Sequence, residues 1–174
     1  MNKEILFSEQ QRFKQWWFWL ILLGIDTLFI LGSYKQIIRG QQFGDKPMSN
    51  EGLIIITIIV VLLTVAFALI KLETQVKHDG IYVRFFPFHI SFKYYPWDEI
   101  SSSFLRKYSP LVEYGGWGWR YSLFGRGKAY NVSGNMGLQL IFNNQKKLLI
   151  GTKKPEQLTE VLTKIGQLKN KQGL

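Results

Sequence analysis

The densest concentration of residues able to recognise a ligand lies between positions 111 and 136, LVEYGGWGWRYSLFGRGKAYNVSGNM, where six glycines are set among aromatic and basic side chains. Arg120, Arg126 and Lys128 can bind a phosphate, and Trp117 and Trp119 can insert at a headgroup boundary; together that is the chemistry of peripheral membrane contact. Two other assignments compete with it. Both tryptophans could fill the inside of a β-barrel with the cations left in solvent, or the segment could face a partner protein. Catalysis has little to work with. His78 precedes an Asp79-Gly80 turn and His89 falls on the polar face of a strand, so both read as exposed residues without a role. No HExxH or GxSxG motif occurs, and around Gly127-Lys128 a phosphate loop fails because Ser122 and Ala129 stand where it needs Gly and Ser or Thr. Zero cysteines exclude thiol nucleophiles, disulfides and thiolate metal sites. The expectation is a non-enzymatic protein with no cofactor and no metal. Lys146, Lys147, Lys153 and Lys154 read as a solvated basic group.

A second chemical feature is a single carboxylate in an apolar run. Residues 16–34, WWFWLILLGIDTLFILGSY, carry Asp26 as their only charge, and residues 52–70, GLIIITIIVVLLTVAFALI, carry none. At about 1.5 Å of rise per residue each run makes a helix about 30 Å long, the thickness of a bilayer's hydrocarbon core. Both are expected to span a membrane. The Trp16 to Trp19 cluster suits an interfacial aromatic belt, and the absence of an A-x-A-like site after the run argues against cleavage as a signal peptide. An ionised Asp26 at mid-span costs about 2.5–3.5 kcal/mol, so it should face protein. Thr57 and Thr64, seven residues apart and on one helical face, are its candidate partners across the hairpin. A polar contact with another membrane subunit or a second copy, and a proton-relay role, are the alternatives.

The organisation that follows is a tail at 1–15, spans at 16–34 and 52–70 joined by a loop at 35–51, a soluble domain at 71–168 and a tail at 169–174. Lys3, Arg12, Lys14, Lys71, Lys77 and Arg84 flank the spans on the side of the termini, against Lys35, Arg39 and Lys46 in the loop. That excess places both termini in the cytoplasm of a multi-pass inner-membrane protein. Residues 71–174 hold 16 Lys and Arg against 7 Asp and Glu. Such basicity suits an anionic leaflet, and with no basic recognition helix or RNP-type motif, nucleic acid is not an expected partner.

Within 71–174 the hydropathy period changes to two: Leu72, Thr74 and Val76, then Ile81, Val83 and Phe85, then Phe88, Ile90, Phe92 and Tyr94. Pro96 ends this meander, and Trp97-Asp98-Glu99-Ile100 leads to a strand of about eight residues closed by Ser109-Pro110. An irregular, bulged hairpin is expected over 111–136, a regular one over 138–150, and a helix from Pro155 with an apolar stripe of Leu158, Val161, Leu162, Ile165 and Leu168. The fold class is α+β: a helical hairpin, then about seven antiparallel strands forming a barrel or sandwich capped by an amphipathic helix.

Through Pro96 to Ile100, Gly115-Gly116-Trp117-Gly118-Trp119-Arg120, and the Leu138 to Lys154 hairpin running into the Pro155 helix, the chain resembles bacterial membrane-anchored pleckstrin-homology-like proteins over most of 14–168. The resemblance implies the fold and the anchor more firmly than any activity, since many such families are uncharacterised. The expected role is protein binding or scaffolding at the membrane, alternatively the sensing of anionic lipid in the domain's own leaflet. His78-Asp79-Gly80 lacks the basic residues with which phosphoinositide-binding relatives are equipped in that loop.

Overall fold

The computed structural model describes residues 4–122 and 125–169. The chain divides into two compact units, one made of residues 13–69 and the other of residues 1–12 together with 70–174.

The first unit is a helix pair. Helix α1 (Trp16–Ser33) runs on into a π-helical turn, Tyr34–Ile38, and α2 covers Asn50–Leu69. The apolar helical stretch therefore extends past position 34, and the connecting loop is shorter than the sequence pattern suggests. Gln36 Nε2 ties it by donating to the Met48 carbonyl and to Asn50 Oδ1, both at 2.8 Å. Between the helices, Phe18 packs edge-on to Phe67, and the Thr57 hydroxyl meets that of Ser33 at 2.9 Å. The outward faces of both helices, among them Leu20, Leu28, Leu31, Ile55, Leu62 and Leu63, are exposed. Each such side chain gains about 1.5–3 kcal/mol on leaving water. Both helices are long and apolar enough to cross a membrane.

The second unit contains two sheets. In the first, β1 (Ile5–Arg12), β2 (Lys71–Lys77), β3 (Gly80–Phe86) and β4 (Lys93–Pro96) form an antiparallel meander in chain order. Leu72, Thr74, Val76, Ile81, Val83 and Phe85 are buried, as the period-two pattern predicts. The segment expected as a tail is different: residues 5–12 form β1, paired along β2 from Ile5 opposite Lys77 to Arg12 opposite Lys71. Its inward side chains are Phe7, Glu9 and Gln11. Two of these three are polar, which hides the alternation from a hydropathy reading. Gln11 Nε2 donates to the Gly151 carbonyl at 2.7 Å, and the Glu9 carboxylate accepts from Thr152 Oγ1 at 2.6 Å and from the Lys153 N–H at 2.8 Å.

The second sheet comprises β5 (Ile100–Lys107), β6 (Gly118–Tyr121), β7 (Lys128–Asn131), β8 (Met136–Phe142) and β9 (Lys147–Gly151), in the order β5-β8-β9-β7-β6. A short helix, α3 (Pro110–Tyr114), stands where only an irregular hairpin is expected, started by Pro110 and ended at Gly115 with φ +70°. Nine strands are present among the described residues, eight of them after the second helix, and β7 pairs in parallel with β9. The expectation of about seven strands, all antiparallel, is corrected on both points, and the two sheets are not joined into a closed barrel. The parallel pair arises because β8 and β9 form a hairpin, and β7 adds to its β9 side. Facing rings bridge the sheets, Phe85 stacked on Tyr130 at 6.1 Å and Tyr95 against Phe142 at 5.4 Å. Helix α4 (Pro155–Lys164) buries Leu158 and Leu162 of its expected stripe, and a backbone bridge from Lys169 to Ser103 covers part of the outer edge of β5.

Candidate functional site

Strand β4 pairs only with the first half of β3, from Gly80 opposite Pro96 to Val83 opposite Lys93. Phe85 and Phe86 overhang, and the chain between them and β4 turns back as a loop, residues 87–92. Phe86 lies opposite Lys71, and Lys71 opposite Arg12. The loop therefore sits at the end of the first sheet where the chain departs to the helical unit and returns from it. Its Phe88 and Ile90 side chains are 57% and 84% exposed.

Strand β6 is the edge of the second sheet, and its Trp119 pairs opposite Tyr130. The Trp119 ring meets Phe88 at 5.7 Å and His89 at 5.5 Å, while the Lys93 ammonium lies 5.9 Å from the same ring. Next along the edge, the Lys128 ammonium is 5.1 Å from the Tyr121 ring, and its bond to the Tyr121 hydroxyl raises its pKa above the ordinary lysine value. Arg84, ion-paired with Glu73 at 2.6 Å, covers Phe92 at 4.7 Å. The result is a patch in which cations alternate with partly exposed rings, drawn from both sheets.

The five sequence-predicted residues of this region separate. Trp119 and Lys128 belong to the patch. Arg120 lines a cleft of about 400 Å³ with Trp119, Leu111 and Val112, its Nε donating to the Trp117 carbonyl. Trp117 turns its Nε1 to the Gly134 carbonyl at 3.1 Å, so it neither fills the interior nor joins the patch. Arg126 is held by Glu113, whose Oε2 stands 2.9 Å from it and 2.8 Å from Arg106. Burial pushes the Glu113 carboxyl up, but Arg106, the Ser109 N–H and Arg126 more than offset this and hold it below the usual carboxylate value. A further cleft, about 510 Å³, is lined by Tyr95, Tyr121, Lys128, Phe142, Lys146 and Lys147.

In the helix pair, Asp26 is 8% exposed, and its Oδ1 and the Thr64 hydroxyl have no hydrogen-bond partner. The expected bond from Asp26 to a threonine is not formed. Thr57 lies level with Phe29 and Ser33 instead, beyond Asp26, and also donates to the Leu53 carbonyl of its own helix at 2.7 Å.

His89 is what the sequence reading missed. It is 7% exposed, not on a solvent face. Its N–H donates to the Phe85 carbonyl at 2.8 Å, and its Nδ1 accepts from the Phe85 N–H at 3.3 Å. Pro87 was the available signal, because proline inside an apparent strand demotes it. Burial, then the positive charges of Lys93 and Lys128, hold the His89 pKa below the ordinary value. A group whose folded pKa is depressed below that of the unfolded chain leaves the folded state poorer in protons. Stability is then complete above the unfolded histidine value of about 6.5 and falls as pH drops through it toward the folded value. Thermal melts of the wild type are expected to lose midpoint temperature between pH 7 and pH 5. His89→Asn, which keeps an acceptor near the Phe85 N–H, should flatten that slope; an unchanged slope would contradict the assignment.

No protein-family model, curated protein or solved structure matches the chain. No cluster of histidine and carboxylate side chains able to hold a metal occurs among the described residues.

Proposed function

We propose that the chain is an integral membrane protein whose two-sheet unit is a non-catalytic, pleckstrin-homology-like docking module that works at the surface of its own leaflet. The observation that carries this is the pairing of β1 with β2. The two apolar helices lie between strands that are neighbours in one sheet, so whatever the first helix crosses the second must cross back. The exposed apolar faces of both helices support a lipid surrounding, which removes the cost of holding them in water. The lysine and arginine excess beside β1 and β2 favours the cytoplasmic side for the sheets.

Contact with headgroups is supported by the position of Phe88 and Ile90 at the sheet end from which the helices depart, with Lys93 and Lys128 around the neighbouring rings. Aromatic side chains rimmed by cations suit the interface of an anionic leaflet, where each basic residue near the surface contributes about 1 kcal/mol. A protein partner is the second reading. Leu111 and Val112, both exposed at the cleft shared with Arg120, favour it. The pleckstrin-homology-like reading draws on the two packed sheets and the C-terminal amphipathic helix; the parallel β7–β9 pair departs from it.

Because the sequence contains no cysteine, single substitutions give labelling sites without background. Gln10→Cys in β1, Gln42→Cys in the inter-helix loop and Lys107→Cys in β5 are all at exposed positions. With a membrane-impermeant maleimide on intact cells, Gln42→Cys is expected to react, and the other two only after permeabilisation. The reverse pattern keeps the hairpin and inverts its side. Equal labelling at all three positions in sealed membranes overturns the hairpin.

A further inference from the structure

His89 lies between Trp119 and Tyr130, the rings nearest which Lys93 and Lys128 project. His89 Nδ1 accepts from the Phe85 N–H, so the ring proton is on Nε2. That Nε2 is buried and has no hydrogen-bond partner. Around the ring stand Trp119 at 5.5 Å and Tyr130 at 5.3 Å, with Phe85 on its own loop side. Lys93 of β4 reaches the same Trp119 ring, and Lys128 stands two positions before Tyr130 on β7. The charges that act on His89 are those of these two lysines, both positive. A buried donor left unpaired is unfavourable, and two ammonium groups near one imidazole add repulsion as soon as it is protonated. An anion placed between them removes both costs.

We propose that His89 Nε2–H, Lys93 and Lys128 form a receptor for a single phosphate group, carried by an anionic headgroup of the leaflet or by a soluble phosphate. The inference rests on the membrane reading for its lipid source. One acidic oxygen accepts from Nε2–H and the others face the two ammonium groups, while Trp119 and Tyr121 shield the site from water. A doubly charged or diester phosphate meets the positive charge of this arrangement better than a neutral ligand. Phe88 and Ile90, exposed on the loop that carries His89, would place the receptor at headgroup depth.

The chain contains two histidines, and His78 lies exposed at the turn between β2 and β3, the opposite end of the first sheet from the 87–92 loop. The full-length protein, labelled at histidine Cε1, is reconstituted in nanodiscs and titrated by NMR in a phosphate-free buffer, with His78→Gln to assign the signals. His78 reports the surface potential common to all exposed groups, and the readout is the His89 midpoint relative to it. In phosphatidylcholine alone the His89 midpoint is expected below the ordinary histidine value, because the ring is buried beside positive charge. Adding phosphatidylglycerol should raise it relative to His78 by about one unit, since a nearby anion favours the charged ring. Lys93→Ala with Lys128→Ala should abolish that rise. A rise with inorganic phosphate in phosphatidylcholine discs, and none with phosphatidylglycerol, assigns the receptor to a soluble phosphate. A relative midpoint that moves with neither overturns the proposal. That result leaves the hairpin reading intact, because cysteine labelling tests it separately.

Discussion

A chain in which residues 13–70 are replaced by Asn-Gly is expected to fold as a soluble β unit, whereas a fragment beginning at Lys71 is expected not to. Arg12 and Lys71 are paired neighbours on antiparallel strands, and a two-residue turn of that composition closes such a pair without strain. The fragment lacks β1. It exposes the edge of β2 over seven residues, loses the burial of Phe7, and leaves the Gly151 carbonyl, the Thr152 hydroxyl and the Lys153 N–H without Gln11 and Glu9. Each lost buried hydrogen bond costs about 1–3 kcal/mol and Phe7 about 2–3 kcal/mol, which is comparable with the whole stability of an ordinary domain, about 5–15 kcal/mol. An unpaired edge also invites aggregation. Amide NMR dispersion and a cooperative thermal melt distinguish the two chains. If the fragment from Lys71 melts like the Asn-Gly chain, β1 is not a structural strand.

Glu113→Ala is expected to be the most damaging single substitution in the candidate site region, costing about 2–3 kcal/mol and lowering the melting midpoint by roughly 10 °C. Glu113 closes a network: it accepts from the Ser109 N–H at the start of α3 and holds Arg106 and Arg126, while Arg106 also donates to Gln139 at 3.0 Å and to the Tyr114 hydroxyl at 3.2 Å. Removing the carboxylate leaves the partly buried Arg106 without its counter-charge. Arg126→Ala should cost well under 1 kcal/mol, because its side chain is 52% exposed and screened by water. The carboxyl is held below its usual range, so its contribution is present above about pH 4.5 and lost as pH falls through the folded value. In Glu113→Ala the acid limb of the stability profile should be correspondingly shallower. Equal losses in Glu113→Ala and Arg126→Ala would contradict the network.

The contacts behind both predictions explain why parts of the protein are legible in the sequence and others are not. The helix pair, the buried faces of β2 and β3, and the stripe of α4 could be read because hydropathy periodicity is a local property. The Ser109-Pro110 boundary could be read because proline fixes its own backbone. Strand β1 could not, since Glu9 and Gln11 occupy inward positions and are satisfied by Thr152, Lys153 and Gly151, some 140 residues away. In the candidate site, residue type pointed to Trp119 and Lys128 but gave no means of separating them from Arg126, which belongs to Glu113, or from Trp117, which belongs to Gly134.

The sequence by itself determined two apolar helices of bilayer length, a basic β-rich remainder, and the absence of thiol chemistry, because these depend on composition and on spacing within a few residues. Only the tertiary structure decided that the helices are an insertion between paired strands, that β7 joins β9 in parallel, and that His89 folds inward against Trp119 and Tyr130. Each of those depends on backbone hydrogen bonds and charge contacts between segments far apart in the chain, and such pairings leave no periodic trace in the residues that make them.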